Sequence, residues 1–234
     1  MIPKIFAHRG ANADAPENTM AAFQLALEQG ADGIELDVML SKDHEIVVIH
    51  DDTVDRTTNG TGQVQDLTLA ELKTLDAGDG EQVPTLDEVL TQFGGKFQIN
   101  IELKNYSTIF DSLPVNVANL VIKHQVADSI LISSFNPFNF SRFRRLLPNI
   151  PFGMLTFPGK ARFFAYRFFR YDALHPYFQD VDESLIKSYH AKGKQVNVWT
   201  VDEAADIRHM TKLGVDSIIT NNPKRAITVL ESLM

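Results

Sequence analysis

The sequence predicts an α/β chain closed as a (β/α)8 barrel, the TIM-barrel class, and three observations carry that reading. Nine short apolar runs, at 4–8, 33–39, 45–49, 97–103, 129–134, 151–156, 171–175, 195–199 and 216–220, alternate with segments whose apolar residues recur every three or four positions. Such alternation of strand and helix calls for a parallel sheet. If 45–49 is the return arm of a hairpin on 33–39, eight strand–helix units remain, and 234 residues lies near the compact end for a barrel of eight. A doubly wound open sheet is the competing arrangement.

Each element has its own punctuation. The helix expected at 19–29 has Asn18 as its cap, Phe23, Ala26 and Leu27 on one face, and Gly30 as its stop. The helix expected at 203–213 repeats the design, with Asp202 as cap, Ile207 and Met210 facing inward, and Gly214 as stop. Residues 51–96 carry 10 acidic and 3 basic side chains and 6 of the 13 glycines. They read as a loop-rich insertion with short helices at 68–75 and 85–93. Residues 129–171 invert that balance, with no acid and 7 basic residues, and 135–178 holds 11 of the 16 phenylalanines.

Composition narrows the function classes. At 44% apolar residues the chain can bury one sizeable core, so 1–234 reads as a single domain with 51–96 inserted in it. Twenty-two basic against 30 acidic side chains give a net charge of −8, which argues against a nucleic-acid binder. The absence of cysteine excludes disulfides, thiolate zinc sites and a thiol nucleophile, and points to a reducing compartment. No apolar run exceeds four residues, and the N-terminus lacks the apolar stretch of a signal peptide, so a soluble cytoplasmic protein with no transmembrane segment is expected.

The chemistry concentrates at strand ends. In Asp32-Gly33-Ile34-Glu35-Leu36-Asp37-Val38, strand geometry puts Ile34, Leu36 and Val38 on one face and Glu35 and Asp37 on the other. In a barrel the carboxylates point inward, where like charges are costly unless a cation joins them; on an edge strand they would form a solvated face. Strand 98–104 has the same grammar, with Gln98, Asn100, Glu102 and Lys104 opposite Ile99, Ile101 and Leu103. Three carboxylates without cysteine suit a hard divalent cation, and a salt bridge from Lys104 that neutralises Glu102 is compatible with that reading. His8 ends the first strand and His50 the hairpin, placements that suit an acid/base pair near neutral pH. Arg9, beside His8, offers a fork of donors to a phosphate.

These residues, in order, carry a resemblance. His8-Arg9-Gly10, Pro16-Glu17-Asn18-Thr19, Phe23, Gly30-Ala31-Asp32, Glu35, Asp37 and His50-Asp51 resemble the glycerophosphodiester phosphodiesterase family. The likeness continues through Arg56-Thr57-Thr58, Pro84-Thr85-Leu86, Ile101-Glu102-Leu103-Lys104, Ser133-Ser134-Phe135, Leu174-His175-Pro176, Val198-Trp199-Thr200 and Gly214–Thr220, so it covers nearly the whole chain. One departure is Asn221, where relatives commonly carry an acid; it lies outside the expected metal set and bears on the local loop alone.

The resemblance implies a (β/α)8 barrel with a small insertion after the second strand. It also implies hydrolysis of glycerophosphodiesters, such as deacylated phospholipid head groups, to sn-glycerol 3-phosphate and an alcohol. Glu35, Asp37 and Glu102 would hold one divalent ion (Mg2+, Ca2+ or Mn2+), with His8 and His50 as general acid and base. Arg9 and Lys104 would hold phosphate oxygens. Trp199 would form an apolar wall, with Phe135 and His175 as lesser contributors. A barrel acting on intact phospholipids and a non-catalytic phosphodiester binder are the alternatives; the retained histidines, acids, Arg9 and Lys104 speak against the second.

Residues 160–170 read as a helix on which Phe164, Phe168 and Tyr171 face the barrel. Phe163, Arg167 and Arg170 would then form an aromatic and basic strip. Plain packing with a solvated face accounts for that pattern, and so does weak contact through 160–171 with a membrane surface or a second copy of the chain.

Overall fold

The computed structural model describes residues 2–105, 110–161 and 164–233. Eight strands close into a barrel: β1 (Lys4–His8), β2 (Gly33–Leu40), β4 (Gln98–Leu103), β5 (Ile130–Ser134), β6 (Phe152–Leu155), β7 (Ala173–His175), β8 (Gln195–Val198) and β9 (Ser217–Thr220). Each pairs in parallel with the next, and β9 pairs with β1, Ile5 facing Ile218, so the sheet has no open edge there. That closing pairing excludes the open doubly wound sheet. β3 (Ile46–Val48) returns antiparallel on the far end of β2, Val38 opposite Val48, as the expected hairpin arm.

Strand alternation explains why the barrel forms. Ile34, Leu36 and Val38 of β2, Ile99, Ile101 and Leu103 of β4, and Ile132 of β5 are fully buried in one large apolar cluster with the helices. Their neighbours Glu35, Asp37, Asn100, Glu102, Ser133 and Asn197 are also buried, on the opposite face, and fill the barrel interior with polar groups. The outer ring consists of α1 (Met20–Glu28), α3 (Leu86–Phe93), α4 (Leu113–His124), α5 (Phe138–Arg144), α6 (Glu183–His190), α7 (Ala204–Leu213) and α8 (Pro223–Glu231). A shorter helix, α2 (Leu69–Leu72), lies between β3 and α3.

The acidic segment divides in two. Leu86, Val89, Leu90 and Phe93 of α3 join the barrel's own cluster. Met39, Val47, Ile49, Val54, Val64, Leu72, Ala77 and Val83 form a second, smaller cluster under the loops between β3 and α3. Capping boxes start both helices, Thr68 with Glu71 for α2 and Thr85 with Glu88 for α3.

Two expected caps are placed differently. Thr19, not Asn18, caps α1 by accepting from the Ala22 N–H, while Asn18 sits left-handed at φ 56° and spends its amide on Asp37. Glu203 occupies the N-cap of α7 without a side-chain bond, because Asp202 is engaged with Thr220 and Asn221. In both cases a tertiary partner claims the side chain that local pattern assigns to the helix.

The helix expected at 160–170 is a five-residue 3-10 turn, Phe164–Phe168. Its repeat of three puts Tyr166 and Phe169 against the core, while Phe164 and Phe168, expected inside, are 61% and 78% exposed. Tyr171 is buried as expected. Phe163 lies outside the described residues, and the side chain of Arg167 with it.

Candidate active site

The C-terminal ends of the barrel strands converge on one mouth, where barrels of this class build their sites. β1 ends at His8 and turns sharply through Arg9 and Gly10, both left-handed (φ 56° and 84°). Only glycine suits the second position: a Cβ there would lie 2.6 Å from the Ala22 Cβ of α1. The Asn18 N–H donates to the Arg9 carbonyl at 2.9 Å, and the Arg9 N–H donates to Glu35 Oε2 at 3.2 Å, which hold the turn.

Register brings the acids together. β2 pairs with β4 so that Asp37 faces Glu102 and Glu35 faces Asn100, all on the interior side. One carboxylate oxygen each from Glu35, Asp37 and Glu102 lies within 4.8 Å of the others, and all three side chains are buried. Burial, with Asp37 and Glu102 alongside, pushes the Glu35 carboxyl well above the usual carboxylate range. Burial acts the same way on Asp37, but the charges of Lys104, Arg9 and His50 and the Asn18 amide overcome it and hold that group low. Arg9 Nε stands 3.3 Å from Asp37; Lys104 Nζ stands 3.7 Å from Asp37 and 3.6 Å from Glu102. Two cations thus face three buried carboxylates, and burial beside two like charges opposes the ionised form of Glu35. A divalent ion that prefers oxygen ligands fits this donor set, because it compensates the clustered buried charge.

The two histidines flank the cluster. His8 Nε2 is 4.0 Å from Glu35 Oε2, and its Nδ1 is 2.7 Å from Asn221 Oδ1. Burial and the adjacent Arg9 charge lower its pKa to about 4. His50, two residues past β3, has Nδ1 2.5 Å from Asp51 Oδ1. Arg56 Nε donates to the other Asp51 oxygen, also at 2.5 Å, and holds that carboxyl far below its ordinary range. Arg56 also donates twice to Glu17, at 2.8 Å each, and Glu17 accepts from Arg9 Nη1 at 2.9 Å. This chain of charges ties the inserted segment to the β1 turn.

The rest of the mouth is aromatic. Trp199 packs edge-on to Phe135 at 6.0 Å and against Tyr177 at 5.9 Å, and Phe135 stacks on Phe157 at 4.5 Å. The Trp199 Nε1–H donates to the His175 carbonyl at 2.8 Å. His175 itself is fully buried, with Nε2 2.9 Å from Asn197 Nδ2 and its ring where a Cβ on Gly153 would fall. It lines the barrel interior beneath the wall, and burial lowers its pKa to about 3.

The family model for glycerophosphoryl diester phosphodiesterases matches residues 8–225. The chain belongs to that family. As a member of the glycerophosphoryl diester phosphodiesterase family it is a phosphoric diester hydrolase. It is 40% identical over 236 residues to the glycerophosphodiester phosphodiesterase of Caldanaerobacter subterraneus subsp. tengcongensis, covering 97% of each chain. It is 38% identical to the enzyme of that name from Bacillus altitudinis, covering 99% of this chain and all of the relative. Among solved structures, an Oleispira antarctica phosphodiesterase in complex with the product sn-glycerol-3-phosphate superposes with a TM-score of 0.90 at 30% identity, covering 98% of this chain and 97% of that one.

The structure thus gathers His8, Arg9, Glu35, Asp37, His50, Glu102 and Lys104 at one mouth, with Trp199 and Phe135 on its wall. Sequence reasoning gave no role to Glu17 and Arg56 and assigned Asn18 only to a helix cap, although all three lie in the runs that carry the family resemblance. It also set Asn221 aside as a matter for the local loop. That expectation fails, since Asn221 meets the His8 ring directly. The signal available was its residue type: an amide just past a strand end can donate on one side and accept on the other.

Proposed function

We propose that the chain hydrolyses glycerophosphodiesters to sn-glycerol 3-phosphate and an alcohol with the help of a divalent cation and the pair His8 and His50. The observation that carries this reading is the convergence of three buried carboxylates, two cations and two imidazoles on one barrel mouth. Glu35, Asp37 and Glu102 would hold the ion. When bound, it would polarise a phosphate oxygen and lower the pKa of an attached hydroxyl or water.

The chain's own residues do the remainder. Arg9 and Lys104 place positive charge where phosphate oxygens gain negative charge in the transition state. His8 moves a proton at Nε2, the nitrogen turned toward Glu35. His50, braced at Nδ1 by Asp51, is placed to handle the second proton at its other nitrogen. Trp199 and Phe135 give the substrate an apolar flank and exclude water from that side.

The test is release of glycerol 3-phosphate from glycerophosphocholine after chelation and on re-addition of Mg2+, Ca2+ or Mn2+, with an intact phospholipid as the comparison. Release that needs the ion, with little action on the phospholipid, supports the reading. Preference for the intact lipid transfers the site to the alternative substrate class, and full activity under chelation removes the ion.

The same reading extends to the surface beside the mouth. Phe110, Phe138, Phe157, Phe164 and Phe168 are 48% to 78% exposed. Phe138 packs against both Phe110 and Phe169. The acid-free stretch around them adds exposed Arg145, Lys160 and Arg170 to a molecule of net charge −8. Aromatics interleaved with cations on an otherwise acidic protein complement an anionic lipid surface, and that is the occupant assigned here.

A further inference from the structure

The barrel's last strand ends in a small hydrogen-bonded relay behind His8. Asp202 follows β8, and its Oδ1 accepts from the Thr220 hydroxyl at 3.0 Å and from the Asn221 N–H at 2.8 Å. Its Oδ2 accepts from Asn221 Nδ2 at 2.7 Å. A carboxylate accepts and cannot donate, so it fixes which end of the Asn221 amide turns toward it. The amide oxygen is therefore left pointing the other way, and it meets two donors: Asn12 Nδ2 at 2.8 Å and His8 Nδ1 at 2.7 Å. Asn12 is itself anchored, its amide donating to the His8 carbonyl at 2.9 Å.

We infer that Asp202, acting through Asn221, is a positioning residue that locks the His8 imidazole in its Nδ1–H form, with the lone pair of Nε2 directed at the mouth. The inference rests on the reading of His8 as a group that carries a proton in the reaction. The logic follows from donor and acceptor types. Asp202 forces Nδ2 toward itself, Oδ1 can only accept, and neutral His8 satisfies Oδ1 only with a proton on Nδ1. The same bond fixes the ring plane, so Nε2 keeps its aim beside Glu35.

The relay also explains what position 221 requires. An acid there would contact Nδ1 without an orienting partner because both its oxygens accept, whereas an asparagine gives the same contact only when a neighbouring carboxylate sets its amide.

The test uses the whole protein loaded with Mg2+ and glycerophosphocholine as substrate. In Asp202→Asn, the new side-chain oxygen still accepts from Thr220 and the Asn221 N–H, but its amide now faces the Asn221 amide donor to donor. Asn221 loses the partner that sets its amide and can turn over at the cost of its Asn12 contact, and in that orientation Nδ1 of His8 accepts and the proton passes to Nε2. Long-range 1H–15N spectra of histidine-labelled protein, with the His8 signals assigned by their loss in His8→Ala, should show Nδ1–H in wild type and a shift toward Nε2–H in Asp202→Asn. The kcat of Asp202→Asn should fall at least about tenfold with KM little changed.

The double variant Asp202→Asn/Asn221→Asp restores every donor–acceptor pair with the charge moved forward. It should recover the Nδ1–H form and most of kcat. Recovery in the double variant distinguishes the relay from damage to the turn, which a second substitution would not repair. The inference is overturned if Asp202→Asn keeps both Nδ1–H and kcat, or if the double variant is no better than the single one. Unchanged activity in His8→Ala would instead remove the underlying reading of His8, while the spectra alone would still decide the relay.

Discussion

Replacing Glu35 by glutamine tests the acidic cluster in two conditions that should respond in opposite directions. At an effective dielectric constant of about 20, unit charges 4.8 Å apart repel by about 3.5 kcal/mol, and Glu35 faces two partners at or within that distance. Arg9 and Lys104 offset part of this, but their ion pairs are to Asp37 and Glu102, and Glu35 gains less, from the Arg9 backbone N–H and the Arg9 charge. A net relief on the order of 2–3 kcal/mol remains for the chelated protein, which for a chain of this size raises Tm by roughly 4–12 °C.

Titration sharpens the test. The buried Glu35 carboxyl sits above its ordinary range, so at pH between the two ranges the native state binds more protons at this group than the unfolded chain does. The chelated wild type should therefore lose stability as pH rises from the ordinary carboxylate range through the raised one, and Glu35→Gln should flatten that loss. With Mg2+ the order inverts. A wild type saturated at about a hundred times Kd gains about 2.7 kcal/mol, and the variant should gain little. Circular-dichroism melts in chelator and along a Mg2+ series, over a pH series that begins in the ordinary carboxylate range, read both effects. A variant no more stable than wild type in chelator, yet with an undiminished Mg2+ shift, would refute the reasoning.

Three further outcomes are expected. Alanine at His8 or His50 should lower kcat by roughly 10^2 to 10^4 while the Mg2+-induced shift in Tm survives; loss of that shift would make the imidazoles ligands. His175, held neutral by burial with a pKa of about 3, binds fewer protons than the unfolded chain at any pH between there and its ordinary value of 6.5. Stability should thus fall as pH drops through that window, by up to roughly 4–5 kcal/mol, and His175→Gln should be less acid-sensitive than wild type; equal acid sensitivity would place the loss elsewhere. Finally, the protein should sediment with vesicles rich in anionic lipid at low salt, and less so at high salt or as Phe168→Ser plus Arg145→Glu. A dimer–monomer change in the same variant on size exclusion, without vesicle binding, would assign the surface to a second copy.

Much of the barrel could be read from alternation, because burial on the helix side of each strand imposes it. Ile34, Leu36 and Val38 against Glu35 and Asp37 gave both the strand and the inward direction of the acids, and strand limits lie within two residues of those observed. The two misplaced helix caps share a cause. Asn18 and Asp202 have the chemistry of helix caps, yet each is drawn to a partner distant in sequence, Asp37 and Asn221. Local pattern cannot show a competitor that arrives only when the barrel closes. Residues 160–170 failed differently: so many aromatics fit several periods at once, and the 3-10 repeat buries Tyr166 and Phe169 where an α-helical one would bury Phe164 and Phe168.

His8 and His50 stand on different foundations. His8 ends a strand held within the closed sheet, whereas His50 lies beside Ile49, whose side chain belongs to the small cluster formed with Val54, Val64 and Leu72. A cluster of that size opens at lower free energy than the barrel beneath it, restrained at the rim by the Arg56–Glu17 pair, whose arginine is about half exposed. Warming should therefore displace His50, one of the two imidazoles proposed to move protons, while the barrel's circular dichroism is still native. The enzyme's working temperature would be set by this minor cooperative unit, so mutations that repack Val54, Val64 or Leu72 would raise the temperature of inactivation without moving the main melting transition.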